Sequence, residues 1–178
     1  MITENLSLNY IQGTLELPNQ TDKKVIPFFT RIIATGFYSG YSPIAPGTAG
    51  SLVALAIYWI LNLTNPIIFS ILIITTFFIG IISSNKMELI LGEDPPVVVI
   101  DEIVGMWISL IFIQKSLFIV ITAFFIFRIY DIIKPQPARF VEKFKNGWGI
   151  MLDDVVSGIY SNITLQFIII IIHNLLPL

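Results

Sequence analysis

Apolar runs separated by short polar turns fill most of this 178-residue chain, and acids stand at their ends. Asp101 and Glu102 follow V-V-V-I, Asp131 closes F-F-I-F-R-I-Y, and Asp153 and Asp154 follow G-I-M-L. A carboxylate beside hydrocarbon is costly. It persists where it neutralises, pairs with a cation or binds a metal. Acids at three such places point to one cation-binding site at a membrane surface. That pattern predicts an enzyme rather than a passive membrane protein.

Composition agrees with a membrane setting. Apolar residues make up 55% of the chain and charged residues 12%. A soluble domain carries about twice that charge. The expectation is one integral membrane domain over residues 25–178, preceded by a polar extension over 1–24. The extension lacks the basic start and apolar core of a signal peptide. A net charge of −2 argues against a nucleic-acid partner. There is no cysteine and one histidine, His173. Disulfides, thiolate metal sites, cysteine nucleophiles and multi-histidine sites are therefore excluded.

Four or five spans are readable, over 51–63, 66–83, 101–113, 117–133 and 155–176. A perpendicular helix needs about 20 residues to cross hydrocarbon. Several runs fall short, so the fold class is an all-α bundle of about five short membrane helices. With residue 50 on the cytoplasmic side, Lys86, Lys134, Arg139, Lys143 and Lys145 join Lys23, Lys24 and Arg31 inside. Only Lys115 then lies in an outside turn. The positive-inside rule selects this orientation. It also puts all three acidic clusters on the cytoplasmic side, as expected for a bacterial inner-membrane protein with its site facing the cytoplasm.

Each motif has a structural and a chemical reading. G-Y-S-P-I-A-P-G-T-A-G-S, residues 40–51, is a small-residue loop leading into a helix. Thr48 or Ser51 is there either a cap or part of a phosphate cradle. No lysine follows its last glycine, so it is not a nucleotide-binding loop. In E-D-P-P-V-V-V-I-D-E, residues 93–102, a helix cap accounts for one acid of the Asp101–Glu102 pair but not both. Glu93 and Asp94 read as solvated. Pro135 should end a helix near Lys134, leaving Asp131 in a last turn where the helix dipole disfavours it. Arg128 and Lys134, three residues to either side, are the cations in reach. That trio is either a structural network or a metal or phosphate site. Asp153 and Asp154 repeat the cap argument. Oxygen ligands without His or Cys favour Mg²⁺, and neighbouring Lys and Arg favour a phosphate-bearing substrate.

Four segments in this order resemble the phosphatidylglycerophosphatase A family: S-P-I-A-P-G-T-A-G-S, D-P-P-V-V-V-I-D-E-I-V-G-M, F-R-I-Y-D-I-I-K-P-Q-P and G-I-M-L-D-D-V-V-S-G. The resemblance runs from about Phe28 to the C-terminus. Tyr130, Ala138 and Ser157 depart from the usual residues, and none removes a charge. The resemblance implies a magnesium-dependent phosphoric monoester hydrolase. Its substrate would be a membrane phospholipid, phosphatidylglycerophosphate, and its product phosphatidylglycerol. Asp101, Glu102, Asp131, Asp153 and Asp154 are then the catalytic and metal-binding candidates. Thr48, Ser51, Arg128 and Lys134 are the candidates for binding substrate phosphate. The rival classes are an ion-binding transporter, which should hold its acids at mid-span, and a structural membrane subunit.

Overall fold

The computed structural model describes residues 25–175, so the expectation for residues 1–24 lies outside the described residues. Among the described residues there are seven α-helices, one 3-10 turn and no strand. They are α1 Phe28–Ala34, the 3-10 turn Ser39–Tyr41, α2 Pro46–Ile60, α3 Pro66–Leu91, α4 Ile100–Leu110, α5 Leu117–Ile133, α6 Ala138–Val141 and α7 Trp148–Leu175. The all-helical expectation holds.

Local chemistry sets most of the ends. Proline opens α2 and α3, where a missing N–H costs nothing. Asn65 caps α3 by accepting from the N–H groups of Ile67 and Ile68. Pro135 stops α5 as expected, with Lys134 as its C-cap. Four of the five expected spans differ in their bounds: α2 runs from Pro46 to Ile60 rather than over 51–63, and α4 ends at Leu110 rather than at 113. Helix α3 continues past residue 83 to Leu91, because S-S-N-K-M-E is polar without being a stop signal. Gly92, at φ +100, is the stop. Helix α7 starts at Trp148, seven residues before residue 155, just after Gly147 at φ +76. Asp153 and Asp154 therefore lie inside the helix and cap nothing. Val99 stands at the N-cap of α4 and Ala45 at that of α2, so Asp101, Thr48 and Ser51 are not caps either.

Helix α4 is the centre of the molecule. Ile103, Val104, Met106, Trp107 and Leu110 are all buried on it. Its largest contact is with α7, and it also touches α2, α3 and α5. Gly105 and Gly158 make the α4–α7 contact possible. A Cβ on Gly158 would lie 2.5 Å from the Gly105 carbonyl oxygen, and one on Gly105 would lie 2.7 Å from that of Asp154. Small residues allow this close approach of two backbones. Farther along, the Asn162 amide donates to the carbonyls of Ser109 and Ile111 at 3.1 and 2.9 Å. The contacting pairs advance together along both helices, so α4 and α7 run in the same direction. The acids at their starts consequently meet.

Helices α3 and α7 have 26 and 28 residues and are long and apolar enough to cross a membrane. Helices α2, α4 and α5 have 15, 11 and 17 residues. Large apolar side chains remain exposed at helical spacing, among them Ile67, Ile71, Ile74 and Phe78 on α3 and Phe118, Ile121, Phe125 and Ile129 on α5.

Candidate active site

The starts of α2, α4 and α7 and the end of α5 converge on one cleft of about 310 Å³. Asp101 and Glu102 reach it from the first turn of α4, and Asp153 and Asp154 from the second turn of α7. Arg128 and Asp131 come from the last turns of α5, and Lys134 from its cap. The Ala45–Gly47 backbone and the Asp94–Pro96 loop complete the wall. All five predicted acids are thus gathered, as are Arg128 and Lys134.

The acids divide into two sets. Asp101, Glu102 and Asp154 each offer an oxygen within 4.8 Å of the other two. In each, one buried carboxylate oxygen has no hydrogen-bond partner: Asp101 Oδ1, Glu102 Oε2 and Asp154 Oδ2. Buried carboxylate oxygens without partners, on side chains this close together, suit a bound cation. Three oxygen donors without nitrogen or sulfur suit Mg²⁺. Asp131 and Asp153 each have a cationic partner, and Asp131 also approaches the Asp154 carboxyl. Asp131 Oδ2 lies 2.6 Å from Arg128 Nη1. That nitrogen and Arg128 Nε lack an aligned hydrogen-bond acceptor, so the contact is an ion pair that leaves donor capacity free. Asp153 Oδ2 lies 2.7 Å from Lys134 Nζ, and its Oδ1 accepts from the Asp154 N–H at 3.0 Å.

Lys134 corrects one expectation. It sits in the left-handed region at φ +47, which swings its side chain away from Asp131 and onto Asp153 and Glu142. Burial opposes its charge, but the bonds to Asp153 and Glu142 outweigh this and hold its pKa above the ordinary lysine value. It stays cationic throughout the physiological range. Ala45 and Asp94, at φ +49 and +45, also line the cleft in left-handed conformations. Such backbone costs roughly 1–3 kcal/mol per residue and gathers where function holds it in place.

The small-residue loop contributes differently from the sequence reading. Gly47 is the residue at the wall: a Cβ there would collide with Glu102 Oε1 and lie 3.0 Å from Arg128 Nη1. Ser51 is fully buried and donates to the Gly47 carbonyl at 2.9 Å. Neither Thr48 nor Ser51 lines the cleft with its side chain. Two further residues escaped the sequence reading. Asp94 read as solvated yet forms part of the wall, and Glu142 holds Lys134 at 2.6 Å. Glu142 lies in the polar stretch E-K-F-K-N, where nothing local sets it apart.

Residues 32–169 match the phosphatidylglycerophosphatase A family. The chain belongs to this family. The match covers the cleft and the helices that build it. Family membership makes the chain an enzyme, a phosphoric monoester hydrolase, as the four motifs implied. Phosphatidylglycerophosphatase A of Escherichia coli is 36% identical over 140 residues, covering 77% of this chain and 81% of its own. That of Haemophilus influenzae is 41% identical over 134 residues, covering 73% and 82%. A protein of Bacteroides thetaiotaomicron, provisionally named a phosphatidylinositol-3-phosphatase, is 46% identical over 142 residues, covering 75% and 89%. No solved structure gives a significant match.

Proposed function

We propose that this chain is a Mg²⁺-dependent lipid phosphatase that removes the terminal phosphate of phosphatidylglycerophosphate to give phosphatidylglycerol. The observation that carries the reading is the triplet Asp101, Glu102 and Asp154, with a buried, unpartnered oxygen on each, beside the cations Arg128 and Lys134. The family match supplies the substrate class.

The triplet would hold the metal. Bound there, Mg²⁺ supplies positive charge for the phosphoryl oxygens as charge develops. Arg128 keeps donors free to bind a phosphoryl oxygen, and Lys134 adds its charge to the same cleft. The first-turn N–H groups of α2 have no partner within the helix and add positive potential beside Gly47. Hydrolysis forms a bond from water oxygen to phosphorus and breaks the ester P–O bond. The departing alkoxide takes up a proton and leaves as alcohol. Asp131 lines the cleft outside the triplet and would accept the proton of the water and pass it to the departing alkoxide. Asp153 holds Lys134 in place.

The chain is placed in a bacterial inner membrane with the cleft facing the cytoplasm. The support is the length of α3 and α7, their exposed apolar faces and the gathering of Lys and Arg at the cleft end. Helices α2, α4 and α5 complete the bundle as shorter spans.

A second substrate deserves a place because of the 46% identical relative: phosphatidylinositol 3-phosphate. One assay separates the readings. Phosphate release by the purified chain is measured on both lipids, with Mg²⁺ and with excess EDTA. Turnover of phosphatidylglycerophosphate that EDTA abolishes is the expected result. Turnover of the inositol lipid alone moves the assignment to that substrate, and release from neither lipid overturns the phosphatase reading.

A further inference from the structure

The catalytic cleft continues past Asp153. A second hollow of about 230 Å³ adjoins it, and the two share Asp94 and Asp153 as walls. Most of the acids around this hollow already have partners. Glu88 accepts the Gly147 N–H at 2.9 Å, and Glu142 and Asp153 both hold Lys134. Lys143 and Lys145, in the segment between α6 and α7, line the same hollow. Neither makes an ion pair among the described residues. These two exposed ammonium groups, without an ion pair among the described residues, stand beside a cleft already furnished for one phosphate. They are suited to a second anionic group on the same ligand.

We infer that this hollow is a headgroup subsite in which Lys143 and Lys145 bind the phosphodiester linking the headgroup polyol to its diacylglycerol. The inference rests on the proposed function. Both lipids considered above carry a diester on the same polyol as the scissile monoester. With the monoester between Arg128 and Lys134, the polyol crosses the shared wall. Its free hydroxyl then meets Glu93 and Asp94, which make no ion pair among the described residues. Phosphatidic acid has only the monoester and gains nothing from the hollow. Selection for a lipid with two phosphates follows. The competing account is that exposed lysines attract any anionic membrane surface. That attraction would act on phosphatidic acid as well.

The test uses the full chain with Mg²⁺ in mixed micelles of constant composition. Phosphate release from phosphatidylglycerophosphate is compared for the unaltered chain and for Lys143→Gln, Lys145→Gln and the double variant. Phosphatidic acid is measured beside it, as substrate or as competitive inhibitor. In the double variant KM for phosphatidylglycerophosphate should rise roughly tenfold, with kcat within about twofold and the constants for phosphatidic acid unchanged. The melting temperature in detergent should stay at the unaltered value. An unchanged KM overturns the subsite, and an equal loss on both lipids replaces it with general surface attraction. Inactivity of the unaltered chain on phosphatidylglycerophosphate removes the proposed function and the subsite together. An active chain indifferent to both lysines removes the subsite alone.

Discussion

Asp153 and Asp154 are neighbours in the chain, but their side chains serve different partners. Successive helical residues point about 100° apart. Asp154 therefore joins Asp101 and Glu102, while Asp153 meets Lys134. Their substitutions should separate. Asp154→Asn removes a member of the proposed metal-binding triplet, and kcat should fall on the order of 10²-fold or more, as for loss of a group that stabilises the transition state. Isothermal titration should show weaker Mg²⁺ binding in the same variant. Asp153→Asn frees Lys134, so KM should rise while Mg²⁺ affinity is largely kept. Equal Mg²⁺ affinities in the two variants would contradict the division. Gly47→Ala probes the wall from the other side. Its methyl group would collide with Glu102 Oε1. Turnover should drop with little change in melting temperature, since the cleft rather than the core is filled.

At the scale of elements, the proposed site depends on how closely two parallel helices approach. Gly158→Ala puts a methyl group 2.5 Å from the Gly105 carbonyl oxygen, which is backbone and cannot turn aside. The helices must part, at a cost of roughly 1–3 kcal/mol. Thermal unfolding in detergent should show the loss, and turnover should fall with it because the triplet opens between α4 and α7. Asn162→Leu is the contrasting change. It leaves the Ser109 and Ile111 carbonyls without their side-chain donor, costing roughly 1–3 kcal/mol. It lies two turns from the cleft, so melting temperature should fall while kcat stays close to normal. If Gly158→Ala lowers stability but spares turnover, helix spacing does not set the triplet.

At the scale of the whole molecule and among the described residues, Arg128, Lys134, Lys143 and Lys145 gather at the cleft end, and Lys115 stands in the turn between α4 and α5. There it donates to Asn62 Oδ1 at 2.8 Å and lies over the Trp59 ring. The chain has no cysteine, so single cysteines report topology cleanly. An impermeant thiol reagent applied to intact cells should label Lys115→Cys and spare Glu93→Cys and Asn146→Cys. Labelling at 93 and 146 without 115 would invert the molecule and move the site to the outer face.

Periodicity and composition were enough to read the five longer helices but not the short α1 and α6, because long apolar runs leave the backbone little choice but to bond within itself. The end of α5 was legible for the same kind of local reason: Pro135 cannot continue it. Asp101, Glu102, Asp131, Asp153 and Asp154 were legible as candidates because carboxylates so near hydrocarbon need a cation. Which cation each one meets was not. A left-handed backbone at Lys134 turns its ammonium from Asp131 to Asp153, and no propensity encodes that turn. Ser51 offered a hydroxyl in sequence, and the turn of helix beneath it took that hydroxyl for the Gly47 carbonyl. Glu142 enters only because α6 brings it alongside Lys134. The proposed separation of ligand from positioning residue depends on directions in space. Gly105 and Gly158, 53 residues apart, set those directions by letting α4 and α7 touch.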